Sequence, residues 1–340
     1  MATINEQLKI LLAGSDLTFE QSKALLDTIF DGQVPEAQIA AFLTAMHIKS
    51  PSVEELAGLA FSLREHAVKV TTGLDNLVDT CGTGGADIKT FNISTAAALV
   101  AAGAGVYIAK HGNRCITSKC GSADVLAELG VNIEAGPEIV ADCIHQAHIG
   151  FMFAPKYHPA MKYVQPIRRA LEFRTVFNFL GPLANPAGVT AQIIGVPEES
   201  LMPKIAEALR LLGLRRAFVV HSSGLDEIST MAPTKILELK NNRITSREFH
   251  PQQYGFNLTG LETIKGNDPK TNAQIVKNVL TGKDRGPCRD IVVLNAAAAV
   301  ILGNIVDDFP PAVKIAQDSI DSGNAGKSLE KLIEISQKCS

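Results

Sequence analysis

Tryptophan is absent from the sequence, aromatic residues make up only 5%, and polar residues interrupt every apolar stretch. A membrane span needs about 20 consecutive apolar residues, and the N-terminal MATINEQLKI has no signal-peptide core. A basic excess is also lacking, because the formal net charge is -3, which argues against a dedicated nucleic-acid binder. The six cysteines form no CxxC pair and no zinc-type spacing with histidine, which is typical of reduced thiols. We therefore expect a soluble cytosolic protein.

The composition that is present is that of a folded globular protein, with 46% hydrophobic and 20% charged residues over 340 positions. This length suits two domains better than one compact core. The first seventy residues predict helices only, because Thr18 with Gln21, and Ser52 with Glu55, form capping-box patterns. No alternating β-branched run interrupts them, so we predict a small all-helical N-terminal domain over residues 1–72.

A different pattern begins near Gly73, where short apolar runs alternate with helical periodicity. Such alternation is typical of βαβ units in a mostly parallel sheet flanked by helices. The predicted strands cover 77–78, 106–109, 149–153, 191–196 and 217–221, and a hairpin joins 235–240 to 244–249 through Asn241-Asn242-Arg243. The predicted fold class is therefore α/β. Its larger domain spans 73–162 and 184–340, and a helical segment at about 163–183 returns to the N-terminal domain.

A glycine-rich loop lies in the run DTCGTGGADIKTFNIST, residues 79–95, between a predicted strand and a predicted helix. Glycines let backbone N–H groups approach an anion, and a helix N-terminus adds unpaired donors and a favourable dipole. Asn92, Ser94 and Thr95 in the first turn could bind phosphate or a metal ion. The alternative is a plain glycine turn with Asn92 or Ser94 as the helix cap. The loop matches neither G-x-G-x-x-G nor the Walker A pattern.

A second polar loop is predicted directly after the strand at 106–109, in the run Lys110-His111-Gly112-Asn113-Arg114. It continues to a helix beginning near Ser122, so strand, basic loop and helix repeat the arrangement of an anion site. Residues 88–123 contain four basic residues and no acidic one. In a net-acidic protein this local positive charge suits a polyanionic small ligand, although a solvated basic loop is the alternative.

Two further segments carry side chains suited to ligand chemistry. Arg168 in the basic stretch after Tyr157-His158 could pair with a carboxylate through two hydrogen bonds, whereas His158 alone is more often a packed histidine. Asp226-Glu227 follows the strand at 217–221, and adjacent carboxylates there can hold Mg²⁺. Acidic pairs are also common on surfaces, but two inferred phosphate loops make a metal-bound diphosphate the better interpretation.

Together these segments resemble the anthranilate phosphoribosyltransferases. The likeness covers nearly the whole chain and rests on GTGG with FNIST, KHGNR, YHPAM, RTVFN with LGPLANP, and GLDEIS, in that order. The resemblance implies an α-helical N-terminal domain, a larger α/β domain and a homodimer formed through the helical domain. It also implies 5-phosphoribosyl 1-pyrophosphate as donor, anthranilate as acceptor and Mg²⁺ as cofactor.

The same resemblance implies the residues of the site, without a protein nucleophile or general base. Those that would bind the donor are Gly82, Thr83, Gly84, Gly85, Thr90, Asn92, Ile93, Ser94, Thr95, Lys110, His111, Gly112, Asn113, Arg114, Ser118 and Ser122. Those that would meet anthranilate are Gly82, Asn113, Arg168, His111 and His158. Those that would hold Mg²⁺ are Ser94, Asp226 and Glu227.

The chain departs from the family pattern at one place, since GTGG is followed by Ala86-Asp87 where the usual sequence is Asp-Gly. We therefore carry no binding role to Ala86, and the role of Asp87 is open. Two other functions fit parts of the pattern: a pyrimidine-nucleoside phosphorylase of the same architecture, and a non-catalytic paralogue that binds nucleic acid. The phosphorylase would lack the Asp-Glu pair, and the acidic net charge disfavours the paralogue.

Overall fold

The structure is a computed structural model, and it describes residues 3–84, 88–114 and 120–338. The helices are α1 (Ile4–Leu12), α2 (Phe19–Phe30), α3 (Glu36–Lys49), α4 (Val53–Glu65), α5 (Ile93–Gly103), α6 (Ser122–Glu128), α7 (Pro137–Ala147), α8 (Ala154–Tyr157), α9 (Gln165–Leu171), α10 (Phe177–Leu183), α11 (Met202–Leu211), α12 (Pro269–Leu280), α13 (Pro287–Leu302), α14 (Phe309–Asp321) and α15 (Asn324–Ser336). The strands are β1 (Val78–Gly82), β2 (Ile108–Gly112), β3 (Ile149–Phe153), β4 (Ala191–Gly195), β5 (Arg216–His221), β6 (Thr234–Lys240) and β7 (Arg243–Phe249). No helix in the described part of the chain is long and apolar enough to cross a membrane.

The N-terminal helices begin where the sequence predicts. Thr18 accepts a hydrogen bond from the Gln21 amide and Ser52 accepts one from the Glu55 amide, so both predicted capping boxes are confirmed. The returning helices join this layer, because α9 packs against α3 and α10 packs against α4. Their apolar side chains share one core with α1–α4 and with one face of the sheet. The boundaries at residues 72 and 183 stay a prediction.

The described sheet has the strand order β3-β2-β1-β4-β5-β6-β7. The first five strands in this order are parallel and β6 and β7 are antiparallel, which confirms the predicted mostly parallel α/β sheet. The predicted hairpin is β6–β7, and Asn241 and Asn242 form its turn with φ of 52° and 60°. Arg243 pairs with Lys240, so it is a strand residue and not part of the turn as predicted.

Two strands extend further than the sequence suggests. Strand β1 runs to Gly82 and β2 runs to Gly112, so Gly82, Lys110 and His111 belong to strands where we predicted loops. The physical reason is the parallel pairing of β1 with β4 and of β2 with β3, which continues through polar residues. Helix α7 was not predicted.

The strand order reverses between β1 and β4, because the chain leaves β3 at one edge of the sheet and returns to form β4 on the other side of β1. Open α/β sheets bind their ligands at such a reversal, at the carboxyl ends of the strands.

Candidate active site

A cavity of about 920 Å³ lies at the carboxyl ends of β1 and β2, beside the N-terminus of α5. It brings together the first loop, the second loop, the Asp226-Glu227 pair and the Arg168 region, which are far apart in sequence. Every residue predicted for the site that the structure describes lines this cavity, except His158. Gly85 and Ser118, together with Ala86 and Asp87, lie outside the described residues. The sequence motifs therefore converge on one place.

In the glycine-rich segment at Gly82 to Gly84, which we call the first loop, the backbone lies close to the Asp226 side chain. A Cβ on Gly82 would lie 2.4 Å from the Asp226 Oδ2, and Gly84 has a φ of 69°, so both positions favour glycine. The Thr83 amide donates to the Gly195 carbonyl over 2.9 Å, which fixes the end of β1 against β4. The Thr83 hydroxyl is buried and has no hydrogen-bond partner among the described residues. A ligand oxygen in the cavity would supply that partner.

The N-terminus of α5 leaves donors for a ligand. Asn92 precedes the helix but makes no side-chain cap bond, because its amide donates to the Cys120 carbonyl and accepts from Asn272. The alternative of Asn92 as a plain helix cap is therefore wrong. Ser94 lies inside the first turn, and its backbone N–H partly opposes the rise in the pKa of the Glu227 carboxyl. The Thr95 hydroxyl is buried and lacks a partner within the described chain. Thr90 and Ile93 complete this wall of the cavity.

Lys110 lies beneath the cavity and is only 2% exposed. Its Nζ donates to the Thr80 carbonyl over 2.5 Å. Burial lowers the pKa of Lys110, and the negative charges of Asp79 and Glu227 oppose that shift. Burial likewise raises the pKa of Asp79, and the positive charge of Lys110 opposes that rise. Asp79 had no predicted role, because the predicted strand ended at residue 78 and Asp79 then belonged to the glycine-rich run that follows it.

Asp226 and Glu227 follow β5 and line the cavity. A Cβ on Gly195 would lie 1.6 Å from the Asp226 carbonyl oxygen, so the end of β4 must be glycine. Burial raises the pKa of Asp226, and burial with the neighbouring Asp226 charge raises that of Glu227 well above its usual range. A cation beside them would favour the ionised forms. Among the described residues no three His, Cys, Asp or Glu side chains converge. A pair of carboxylates offers the hard oxygen ligands that Mg²⁺ prefers, and that ion keeps waters and ligand oxygens as its other ligands.

The wall of the cavity formed by α9 and the segment after it is basic, because Arg168, Arg169 and Arg174 line it. Arg168 on α9 lies over the Phe177 ring, 5.3 Å from its centroid, and donates to Gln165 over 3.3 Å. Burial lowers the pKa of the Arg168 guanidinium. Arg174 reaches the first loop by donating to the Gly84 carbonyl over 3.4 Å. Arg114 on the second loop pairs with Asp124 over 2.9 Å. The remaining predicted lining residues of the second loop are Gly112, Asn113 and Ser122.

The two predicted histidines form a buried pair with ring centroids 5.0 Å apart. His111 lines the cavity and donates from Nδ1 to the Gly181 carbonyl over 3.3 Å, while its Nε2 has no partner in the described structure. His158 lies behind it. Burial lowers the pKa of His111 to about 3 and that of His158 to about 4. Both rings are therefore neutral at pH 7.

From the lowered pKa values of His111 and His158 we predict that the protein loses stability in mild acid. Both pKa values are lowered from 6.5, so below that pH the unfolded chain binds protons that the folded protein cannot. The free energy of unfolding is unaffected by these groups above pH 6.5. Below that pH it falls by up to about 1.4 kcal/mol per pH unit for each histidine. Urea unfolding at pH 7.0 and 5.5 should show this loss, and His158→Phe should reduce it by about half. Equal pH dependence in the two proteins would contradict the assignment.

Several lining residues had no predicted role in the site. They come from α9, α10 and the connection between them, where Glu172 has a φ of 55°. Arg169 lies in the basic stretch, and Arg174 and Asn178 belong to the RTVFN segment, but no ligand contact was predicted for any of them. The residues are Gln165, Arg169, Glu172, Phe173, Arg174 and Asn178. They reach the cavity only because the helical segment folds back over the strand ends, which spacing along the chain does not reveal.

Comparisons with known proteins give the same two-part organisation. The helical bundle domain of a glycosyl transferase family matches residues 5–67, and its α/β domain matches residues 74–326. The anthranilate phosphoribosyltransferase of Methanocorpusculum labreanum is 47% identical over 98% of both chains, and that of Herpetosiphon aurantiacus is 48% identical over 95% of this chain and 96% of its own.

Solved structures agree with this. The anthranilate phosphoribosyltransferase of Thermus thermophilus superposes with a TM-score of 0.92 at 36% identity, covering 97% of this chain and 99% of that one. The enzyme of Saccharomyces cerevisiae in complex with PRPP and Mg superposes with a TM-score of 0.90 at 30% identity, covering 98% of this chain and 97% of that one. Since both domains match in order and relatives at this identity span nearly the whole chain, the chain belongs to the anthranilate phosphoribosyltransferases of the glycosyl transferase family.

Proposed function

We propose that this chain transfers the phosphoribosyl group of 5-phosphoribosyl 1-pyrophosphate to the amine of anthranilate in tryptophan biosynthesis. The products are N-(5-phosphoribosyl)anthranilate and pyrophosphate. The observation that carries the proposal is that one cavity holds an anion-binding loop with a helix N-terminus, a carboxylate pair and a basic acceptor wall. The names of the relatives support the same reaction.

The donor lies along the strand ends in this proposal. The backbone at Gly82 to Gly84 and the unpaired hydroxyls of Thr83 and Thr95 contact its phosphates, and the second loop supplies positive charge. Ser94, Asp226 and Glu227 would hold Mg²⁺, which neutralises the departing diphosphate. Sequence-based roles for Gly85 and Ser118 stay predictions.

The acceptor approaches from the Arg168 side. Arg168 binds the anthranilate carboxylate, and Asn113 with the neutral His111 ring lies beside it in the cavity. An arylamine is neutral at pH 7, so its nitrogen attacks C1 of the sugar while the bond from C1 to the diphosphate oxygen breaks. The amine then loses its proton to water. Catalysis comes mainly from positioning and from stabilising the leaving group. His158 stays a predicted acceptor neighbour, although it does not line the cavity.

The cellular location and the oligomeric state also belong to this proposal. We expect a cytoplasmic homodimer formed through the helical domain. Leu12 on α1 and Ile48 on α3 are large apolar side chains that the helical domain presents to solvent, at 72% and 79% exposure. Equilibrium sedimentation should give twice the 36.2 kDa chain mass.

The experiment for the proposed reaction mixes protein, phosphoribosyl pyrophosphate, Mg²⁺ and anthranilate, and follows the loss of anthranilate fluorescence. We expect turnover that stops on addition of EDTA. No turnover, or turnover indifferent to EDTA, would overturn the proposal. Cleavage of a pyrimidine nucleoside that depends on phosphate would support the phosphorylase instead.

Arg168 gives a prediction specific to the acceptor. Arg168→Met removes a charge-assisted hydrogen-bond donor to the carboxylate, worth about 1.5–3 kcal/mol, and should raise the anthranilate KM by about 10- to 100-fold. The KM for the donor should change less than about threefold, since the loops that bind it are untouched. Arg168→Lys is the control and should recover part of the affinity. Steady-state kinetics with each substrate varied will decide, and an unchanged anthranilate KM would refute the assignment.

A further inference from the structure

The end of α10 is held by three side chains from three different elements. The carbonyls of Gly181, Pro182 and Leu183 are consecutive, and each accepts a hydrogen bond from a separate partner. His111 Nδ1 on β2 donates to Gly181 over 3.3 Å, Gln192 Nε2 on β4 donates to Pro182 over 2.6 Å, and Arg64 Nε on α4 donates to Leu183 over 2.6 Å. We call Arg64, His111 and Gln192 the α10 socket.

Gln192 is the member of the socket tied most firmly to the donor strand. It is fully buried and pairs in register with Asp79 of β1. Its Nε2 also lies 3.3 Å from the Asp79 Oδ2 and 3.2 Å from the Cys81 Sγ. Since the Pro182 and Asp79 oxygens only accept hydrogen bonds, the amide NH₂ must face them. Its Oε1 has no donor among the described residues, so Gln192 acts through its donor group.

Asp79 is itself fixed from the segment that follows α10. Asn185 is 2% exposed and donates from Nδ2 to the Asp79 Oδ2 and to the Ala109 carbonyl, both over 2.8 Å. The exit of α10 is therefore bonded to β1 and to β2. Three strands and one helix of the N-terminal layer thus fix one helix end.

The other end of α10 carries the acceptor wall. Asn178 lines the cavity, and the Phe177 ring lies under the Arg168 guanidinium at 5.3 Å. Gly82, which lines the donor side, ends the same strand that holds Asp79. A continuous set of contacts therefore runs from Arg168 through α10 and Gln192 to the donor strand.

We infer that Gln192 is a positioning residue of the reaction, which sets α10 and the acceptor-binding Arg168 at a fixed distance from the donor on β1. This inference rests on the proposed function and goes beyond it, because Gln192 touches neither substrate: it is absent from the lining of the cavity. A small misplacement of two reactants lowers the rate without preventing either from binding.

The test is Gln192→Met, which keeps the length of the side chain and removes its hydrogen-bond donor group. We expect kcat to fall by about 10- to 100-fold, while the Kd of the donor with Mg²⁺ and the Kd of anthranilate, each measured alone, change less than about threefold. Gln7→Met is the matched control: Gln7 is also a buried glutamine, and its Nε2 donates to the Gln21 carbonyl over 2.9 Å, remote from the cavity. It should keep kcat within about twofold.

A second readout does not depend on turnover. Amide hydrogen exchange over residues 177–190 should become faster in Gln192→Met and stay unchanged in Gln7→Met. Unchanged exchange, an unchanged kcat, or a kcat loss matched by weaker binding of one substrate would overturn the inference. If the wild-type protein does not turn over anthranilate, the proposed function fails, and the exchange result alone decides whether Gln192 fixes α10. If Gln192→Met does not fold, Arg64→Met, which removes the bond to Leu183, must show the same pattern.

Discussion

Replacing Asp226 with Asn and Glu227 with Gln is expected to lower kcat/KM for the donor by about 10²- to 10³-fold and to abolish the response to added Mg²⁺. The two carboxylates line the same cavity as the first turn of α5, and the Ser94 backbone N–H partly opposes the rise in the pKa of Glu227. Amides of the same shape are much poorer ligands for a hard cation. Activity measured against Mg²⁺ concentration gives the readout.

The same variant should not lose stability. Burial raises the pKa of both carboxyls, so keeping them ionised at neutral pH costs folding free energy in the metal-free protein. Neutral amides remove that cost, and the melting temperature should stay equal or rise. Glu330→Gln with Glu334→Gln on α15 is the control, since it also removes two acidic charges but at exposed positions away from the cavity. An unaltered Mg²⁺ dependence in the double amide variant would remove the proposed metal site.

Lys110→Met is expected to be the most destabilising change near the cavity. It removes the buried cation that faces Asp79 and Glu227, and an uncompensated buried charge costs about 3–5 kcal/mol. The Thr80 carbonyl also loses its donor. Urea unfolding at pH 7 measures the loss directly.

A second substitution tests the cause of that loss. Asp79→Asn in the Lys110→Met background removes one of the two carboxylates left without a cation, so the double variant should recover part of the lost unfolding free energy. The double-mutant cycle of wild type, Lys110→Met, Asp79→Asn and the double variant should give an interaction energy above about 1 kcal/mol. Additive losses would mean that Lys110 stabilises the fold through packing alone.

The glycine loops and the carboxylate pair were predictable because their chemistry is local. GTGG before a helix and Asp-Glu after a strand each combine residue types with one clear physical use, and the parallel order places both at one sheet edge. Even so, the secondary structure around them was predicted too short. Gly82 and Lys110 are strand residues, because pairing with neighbouring strands continues through polar side chains that lower strand propensity in isolation.

The parts that escaped prediction depend on tertiary contacts. Gln192 and Asp79 read as ordinary polar residues in sequence, and only their register across β1 and β4 shows that they meet. His158 follows the same principle: its motif suggested a place beside the acceptor, but its ring packs behind His111. Phe173 and Asn178 reach the cavity through the fold of α9 and α10. The sequence alone carries no periodic signal for such encounters.

The most direct test of the central claim is the stoichiometry of the reaction. Purified protein is incubated with equal amounts of phosphoribosyl pyrophosphate and anthranilate in excess Mg²⁺, and anthranilate, pyrophosphate and the new product are measured together by fluorescence, enzymatic assay and mass spectrometry. We expect one pyrophosphate released and one phosphoribosyl adduct formed for each anthranilate consumed. Pyrophosphate release without the adduct, or consumption of neither substrate, would contradict it.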